Sequence, residues 1–177
     1  MMEKIGLIAG RGNFPLLFAR EARKSGCKVI AIAVKGNTKR QIRKYVDTLF
    51  WIDVRHFTHI ASIFKRENIS KVAMAGQINP YFLFNPAIMN NPAVRDFFGT
   101  IEDRRADTVF ASFVNKLEAA GLEFVDSTLF LSAYMPGDAL LTKRKPTDEE
   151  YKDIHFGFKL AKHLGGMDIG QSVCIKK

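Results

Sequence analysis

The sequence predicts an α/β protein: a Rossmann-like, doubly wound, mainly parallel sheet, followed by the beginning of a smaller second α/β domain. Three observations carry this prediction. Short apolar segments alternate with helical patterns over residues 1–126. The second apolar segment, residues 28–34, is almost continuous, which is typical of a strand covered on both faces. Polar loops containing glycine follow the first, second and fourth of these segments.

The first part of the chain reads as four strands separated by three helices. Each strand is a short apolar run, and each helix shows apolar residues at helical spacing or a basic, turn-bounded pattern. The predicted strands are residues 4–9, 28–34, 47–53 and 70–75. The predicted helices are residues 14–25, 38–45 and 56–67.

Residues 81–98 interrupt this alternation, because asparagines and prolines break an apolar stretch. Packing onto the core is the favoured interpretation, and a lipid-contacting surface is the alternative. Thr100 is then predicted to cap a helix that ends at Gly121, and residues 122–125 give a fifth strand.

The second domain is predicted over residues 147–177, after a connecting segment at 127–146. Thr147 and Glu150 form a capping-box pattern that starts a helix ending at residues 164–166. Residues 173–175 read as a strand.

The candidate site lies where the carboxyl ends of the parallel strands meet, since ligands of open α/β sheets bind at that edge. Residues 10–13, 35–37 and 76–79 are all placed there. Glycines between a first strand and a first helix let backbone amides approach an anion. The third glycine of a dinucleotide loop is replaced by Pro15, and Lys35 follows the second strand where a ribose-binding acid is expected. The loop therefore predicts an anion site that does not bind NAD.

Composition narrows the class of protein. A net charge of +9 over 177 residues favours polyanions, anionic surfaces or phosphorylated substrates, with solubility alone as the plain alternative. Cys27 and Cys174 fit free thiols in a reducing cytoplasm, the expected location. Asp103 and Asp107 lie four residues apart and permit a shared metal, although solvent-facing and helix-terminal roles are favoured.

Several motifs resemble a known family. Ile8-Ala9-Gly10-Arg11-Gly12-Asn13-Phe14-Pro15 resembles the N-terminal signature of LpxI-type UDP-2,3-diacylglucosamine pyrophosphatases. Gly76-Gln77, the helix through Asp107 and the basic run near Lys143 are also similar to that family. So is Asp168-Ile169-Gly170-Gln171-Ser172-Val173, near the end of the chain.

The resemblance implies an enzyme of lipid A assembly that hydrolyses UDP-2,3-diacylglucosamine to UMP and 2,3-diacylglucosamine 1-phosphate. It implies magnesium or another divalent metal with unknown ligands. NAD is not expected because of the loop residues, and a nucleic-acid partner is not expected because the sequence has no recognised nucleic-acid motif. A cytoplasmic protein is expected, and both peripheral contact with the inner membrane and a homodimer are left open. The substrate-binding residues that it implies, together with the residues of the anion loop, are Gly10, Arg11, Gly12, Asn13, Gly76, Gln77, Lys143 and Gln171.

The sequence departs from the family after its last motif. Relatives continue into a Glu-Gly-Thr-Asp motif implicated in catalysis, whereas this chain ends at Lys177, so no catalytic residue is assigned. We expect either a fragment of a longer enzyme or a protein without the catalytic half. A non-catalytic module that binds nucleotides or phosphate is therefore the second hypothesis, and a basic nucleic-acid binder ranks last.

Overall fold

The structure, a computed structural model, describes residues 3–79, 81–82, 85–103, 105–138 and 140–176. The chain divides into two compact units, Met1–Tyr134 and Met135–Lys177. Residues 127–134, predicted as part of a connecting segment, belong to the first unit. There Phe130 packs edge-on against Phe18, with ring centroids 5.4 Å apart.

A five-stranded parallel sheet forms the first unit, in the order β3-β2-β1-β4-β5. Its central strand, β1, pairs with β2 on one side and β4 on the other, so Ala9 lies beside both Ala33 and Ala75. The strand order reverses at this point, which is where open α/β sheets place their ligands. The predicted Rossmann-like α/β fold is confirmed. The strands are β1 Lys4–Ala9, β2 Lys28–Val34, β3 Thr48–Ile52, β4 Lys71–Ala75 and β5 Glu123–Phe124.

Helices connect these strands, and one long helix lies in the second unit. Within the described residues, none is long and apolar enough to cross a bilayer. The α-helices are α1 Phe14–Lys24, α2 Ile60–Arg66, α3 Pro86–Met89, α4 Pro92–Gly99, α5 Ala106–Ala119 and α6 Asp148–Gly166. Short 3₁₀ helices occupy Arg40–Lys44, Val54–His59 and Ser132–Tyr134.

The core has two layers, one on each face of the sheet. Phe18 of α1 is buried against one face, and Phe64 of α2 is buried against the other. Strand β2 contributes to both layers, since Val29 packs with the first and Ile32 with the second. Its unbroken apolar sequence is explained by this two-sided burial.

One prediction for the region between β4 and α5 is wrong. Thr100 does not start a helix; it follows α4, and its hydroxyl donates to the Phe97 carbonyl at 2.7 Å. The asparagine side chain of Asn91 caps α4 instead, accepting from the Ala93 and Val94 amides. Val94 and Phe97 are buried, as the packing interpretation of this stretch requires. Residues 83–84 lie outside the described part of the chain.

In the second unit the predicted capping box is confirmed, and the predicted strand at its end is wrong. Thr147 and Glu150 make both reciprocal hydrogen bonds at the start of α6. Residues 173–175 pair with no strand among the described residues, and a strand needs a neighbour for its backbone groups. Their apolar side chains pack on α6 at Gly157 instead, where an added Cβ would lie 2.9 Å from Ile175 Cγ1.

The start of α6 makes helix formation dependent on pH. Two nitrogens of the Arg144 guanidinium donate to the Glu150 carboxylate at 2.7 and 2.8 Å, and the Thr147 amide donates at 2.8 Å. These bonds lower the pKa of Glu150 from 4.5 to about 2. Because the folded pKa is the lower one, the stabilisation is complete above about pH 4.5 and is lost as the pH falls towards 2.

We therefore expect circular dichroism at 222 nm to show less loss of helix over this pH range in Glu150→Gln than in the wild type. Glu149→Gln is the matched control, since Glu149 lies in the same turn and has no hydrogen-bond partner among the described residues. It is expected to keep the wild-type profile. Identical profiles for the two variants would contradict the assignment.

Candidate functional site

The loops after β1 and β4 are joined directly through their backbones. The Arg11 amide donates to the Gln77 carbonyl at 2.6 Å, and the Gln77 amide donates back to the Arg11 carbonyl at 3.2 Å. The Gly10 amide donates to Ala75, at the end of β4, at 2.8 Å. The two loops therefore form one paired edge above the central strands.

A buried asparagine ties the third loop to this pair. The Asn37 side chain donates to the Gln77 carbonyl at 2.8 Å and accepts from the Asn79 amide at 3.0 Å. Next to it, the buried Thr38 hydroxyl accepts from the Val34 amide and donates to the Ala9 carbonyl. The three loops that the sequence places at this edge thus lie together in the structure.

Two of the predicted glycines allow the loops to approach each other. A Cβ on Gly10 would lie 2.6 Å from the Gln77 carbonyl oxygen. A Cβ on Gly76 would collide with the Arg11 carbonyl oxygen and lie 2.9 Å from Pro15 Cγ, and Gly76 has a φ of +84°. Gly12 differs, because a Cβ there would meet nothing within 4 Å. Gly10 and Gly76 therefore serve loop packing, and only Gly12 borders open space.

The predicted anion grip by all four amides of residues 10–13 needs correction. The Gly10 and Arg11 amides already donate to backbone carbonyls, so neither is available to a ligand. The Gly12 and Asn13 amides have no acceptor among the described residues. These two amides lie at the N-terminus of α1, where the helix dipole favours negative charge. Two of the four predicted backbone amide donors, those of Gly12 and Asn13, are therefore open to a ligand.

Asn13 leaves the start of α1 without a side-chain cap, and it contacts a lysine instead. Its Oδ1 accepts from Lys39 Nζ at 2.6 Å, and it makes no capping hydrogen bond to α1. This contact holds an ammonium group beside the open amides. Arg11 is exposed and forms no ion pair with a described carboxylate. Arg11, within the loop, and Lys39, bonded to Asn13, therefore place positive charge at the loop.

Sequence reasoning did not single out Asn37 or Lys39. Asn37 was included only as the end of a polar loop, although a polar residue directly after a buried strand and a glycine is a usable signal. Lys39 lies 26 positions from Asn13, and nothing in the local pattern links the two. Only the packing of the 3₁₀ helix Arg40–Lys44 against α1 brings them together.

The loops after β1, β2 and β4 contain no aspartate or glutamate. The carboxylate that follows the neighbouring strand, β3, is already paired with an arginine. Asp53, directly after β3, accepts from the Arg55 side chain at 2.8 and 2.9 Å. This pairing lowers the pKa of Asp53 to about 2. The carboxylate is therefore charged and neutralised by its own neighbour at neutral pH.

A divalent metal, which the family resemblance implies, needs several oxygen ligands. Among the described residues, no group of three or more histidine, cysteine, aspartate or glutamate side chains is positioned to hold a metal. Asp103, one of the two helix-spaced aspartates, accepts instead from Arg105 at 2.9 and 3.0 Å, which lowers the pKa of Asp103 to about 2. The residues that the structure describes therefore offer no set of carboxylates that fits this metal.

Lys143 and Gln171, the remaining predicted binding residues, belong to the second unit and are exposed. Gln171 lines a groove of about 840 Å³ between α6 and the segments that precede and follow it. Arg144, Glu150, Asp153 and Phe158 contribute to its walls. This groove is open and mixes charged with apolar side chains.

The fold and its loops define the first unit as a Rossmann-like α/β domain with a basic, amide-bearing edge. The chain belongs to the LpxI family, a family of enzymes related to lipid A biosynthesis. Residues 4–134 match the LpxI N-terminal domain, and residues 137–177 match the LpxI C-terminal domain. A search of curated proteins found no match.

Several solved structures are similar to part of this chain. UDP-glucose 4-epimerase from Bifidobacterium longum, in complex with NAD+ and UDP, is 14% identical over 86% of this chain and 49% of its own, with a TM-score of 0.41. The enzyme WbmH from Bordetella bronchiseptica, in complex with NAD+, is 15% identical over 70% of this chain and 55% of its own, with a TM-score of 0.43.

The biotin carboxylase subunit of pyruvate carboxylase is 16% identical over 70% of this chain, with a TM-score of 0.42. This chain spans only 22% of its length.

Proposed function

We propose that this chain binds the diphosphate of UDP-2,3-diacylglucosamine at the edge formed by the loops after β1, β2 and β4. In the proposed reaction water cleaves the diphosphate, releasing UMP and 2,3-diacylglucosamine 1-phosphate. The observation that carries the proposal is the pair of open amides at Gly12 and Asn13, next to Lys39 and Arg11 and within loops that have no carboxylate. Membership of the LpxI family supports the choice of a lipid-linked nucleotide.

Each residue has a distinct role in this proposal. The Arg11 guanidinium has two parallel N–H donors that match two phosphate oxygens, while Lys39 supplies a point charge. The amides of Gly12 and Asn13 donate to a third oxygen at the positive end of α1. Gly76 and Gln77 hold the Arg11 loop in place.

Lys143 and Gln171 remain predicted substrate contacts on the family resemblance alone. NAD is not a proposed ligand, because β2 is followed by Lys35 and by an Asn37 side chain that is already bonded to Gln77 and Asn79. We place the protein in the cytoplasm, where it meets its substrate at the inner membrane.

A non-catalytic nucleotide- or phosphate-binding module is the second candidate. It is favoured by the absence of carboxylates from the three loops and by the pairing of Asp53 with Arg55. Both candidates predict binding of UDP, and they differ in turnover. Release of UMP from the UDP-linked lipid by this 177-residue chain would exclude the second candidate.

The test is isothermal titration calorimetry with UDP on the wild type and on Arg11→Ala. A charge-assisted, bidentate contact contributes about 1.5–3 kcal/mol, so Arg11→Ala is expected to weaken binding by at least about tenfold. Arg66→Ala is the control, because Arg66 is exposed at the end of α2, towards the opposite edge of the sheet, and is expected to bind like the wild type. No saturable binding of UDP by the wild type, or NAD bound at the same edge, would overturn the proposal.

A further inference from the structure

A basic segment borders the proposed binding edge. Residues 35–44 contain five cationic side chains and no carboxylate. All five are exposed, and none forms an ion pair with a carboxylate in the described part of the chain. Arg40 and Arg43 are three residues apart in a 3₁₀ helix, which places them on one face. The five are Lys35, Lys39, Arg40, Arg43 and Lys44.

Exposed apolar side chains lie at the same edge. Phe14, Ile78 and Tyr81 are 36%, 42% and 78% exposed. Each of them neighbours Asn13, Gln77 or Asn79 in the sequence or bonds to one of these residues, all of which take part in the hydrogen bonds between loops. Phe14 follows Asn13, which binds Lys39. Ile78 lies between Gln77 and Asn79, and the Tyr81 amide donates to Asn79 Oδ1 at 3.1 Å. The apolar groups are therefore held next to the basic segment by the same loops.

We propose that this rim, residues 35–44 with Phe14, Ile78 and Tyr81, docks the protein on an anionic lipid bilayer. Unpaired lysines and arginines are attracted to the negative surface of such a bilayer within about a Debye length. Aromatic and aliphatic side chains beside them enter the boundary between headgroups and acyl chains. The combination of both kinds of group matches a lipid surface better than RNA, because Ile78 offers no ring for base stacking.

This docking rests on the proposed function in one respect. If the crevice at this edge binds a lipid-linked nucleotide, docking makes it open towards the membrane that holds the lipid. The docking itself needs no nucleotide. Vesicle binding is therefore measured on the full chain without UDP, and UDP binding is measured separately on the same variants, so that the two proposals fail independently.

The experiment is co-sedimentation with vesicles containing 30% phosphatidylglycerol and with vesicles of phosphatidylcholine alone. We expect binding to the anionic vesicles that weakens as salt is added, and little binding to the neutral ones. Each cation near such a surface contributes about a fivefold gain, so the double variant Arg40→Gln/Arg43→Gln is expected to bind about 25-fold more weakly. Ile78→Ser/Tyr81→Ser is expected to weaken binding while leaving the salt dependence unchanged.

The matched control is Lys28→Gln/Arg66→Gln, which removes the same charge at the opposite edge of the sheet. Retained vesicle binding in this control, with wild-type UDP binding in Arg40→Gln/Arg43→Gln, supports the rim. An equal loss in both double variants would show only the effect of the net charge and would overturn the proposal. So would equal binding to neutral vesicles, or binding of polyuridylate through these residues with no binding to vesicles.

Discussion

Gly76→Ala is expected to destabilise the first unit by about 2–5 kcal/mol. A left-handed backbone costs a non-glycine residue about 1–2 kcal/mol, and forcing a methyl into packed surroundings adds about 1–3 kcal/mol. At Gly76 both terms apply, since its φ is +84° and the added carbon meets the Arg11 carbonyl and Pro15. Urea denaturation followed by tryptophan fluorescence measures the loss, because Trp51 packs against the core of this unit.

Gly36→Ala separates the two terms. Gly36 also has a positive φ, +73°, but an added carbon there has nothing within 4 Å. We expect it to lose only about 1–2 kcal/mol. If both variants lost the same stability, the close approach of the two loops would not limit residue 76. In that case Gly76 would have to be explained by backbone conformation alone.

Asn37→Ala is expected to cost about 2–4 kcal/mol in stability and to weaken UDP binding as well. Asn37 is 8% exposed, and its side chain bridges two backbone groups of the loop after β4. Alanine leaves the Asn79 amide without its acceptor and removes one donor from the Gln77 carbonyl. Each unsatisfied buried polar group costs about 1–3 kcal/mol. Chemical denaturation and UDP titration of the same preparation measure the two effects.

An exposed asparagine provides the comparison. Asn85 also accepts from a backbone amide, that of Ala87 at 2.9 Å, but at the surface, as the cap of α3. Asn85→Ala is expected to cost about 1 kcal/mol or less and to leave UDP binding unchanged. A similar cost at both positions would mean that Asn37 does not hold the loops together. Asn37→Asp keeps the acceptor and loses the donor, so it is expected to fall between the two.

The architecture of the first unit could be predicted because its strands are buried on both sides. A strand such as β2 must then be apolar at nearly every position, and this signal survives in a single sequence. The start of α6 was equally readable, since a capping box is a local pattern. The predictions for Thr100 and for residues 173–175 are wrong for one reason. Their local patterns fit a helix start and a strand, but Thr100 bonds to the end of α4 and residues 173–175 pack on α6.

The candidate site shows the same division. Residue pattern and spacing predict which loops lie at the carboxyl edge, that these loops are rich in glycine and cations, and that no ribose-binding acid follows β2. The use of the Gly10 and Arg11 amides between loops, and the contact of Lys39 with Asn13, follow only from the packing of distant segments. A backbone amide has one hydrogen to donate, and its acceptor can lie far along the chain, as with Arg11 and Gln77, which are 66 positions apart. Spacing along the chain identifies the loops, whereas the fold assigns their hydrogen bonds.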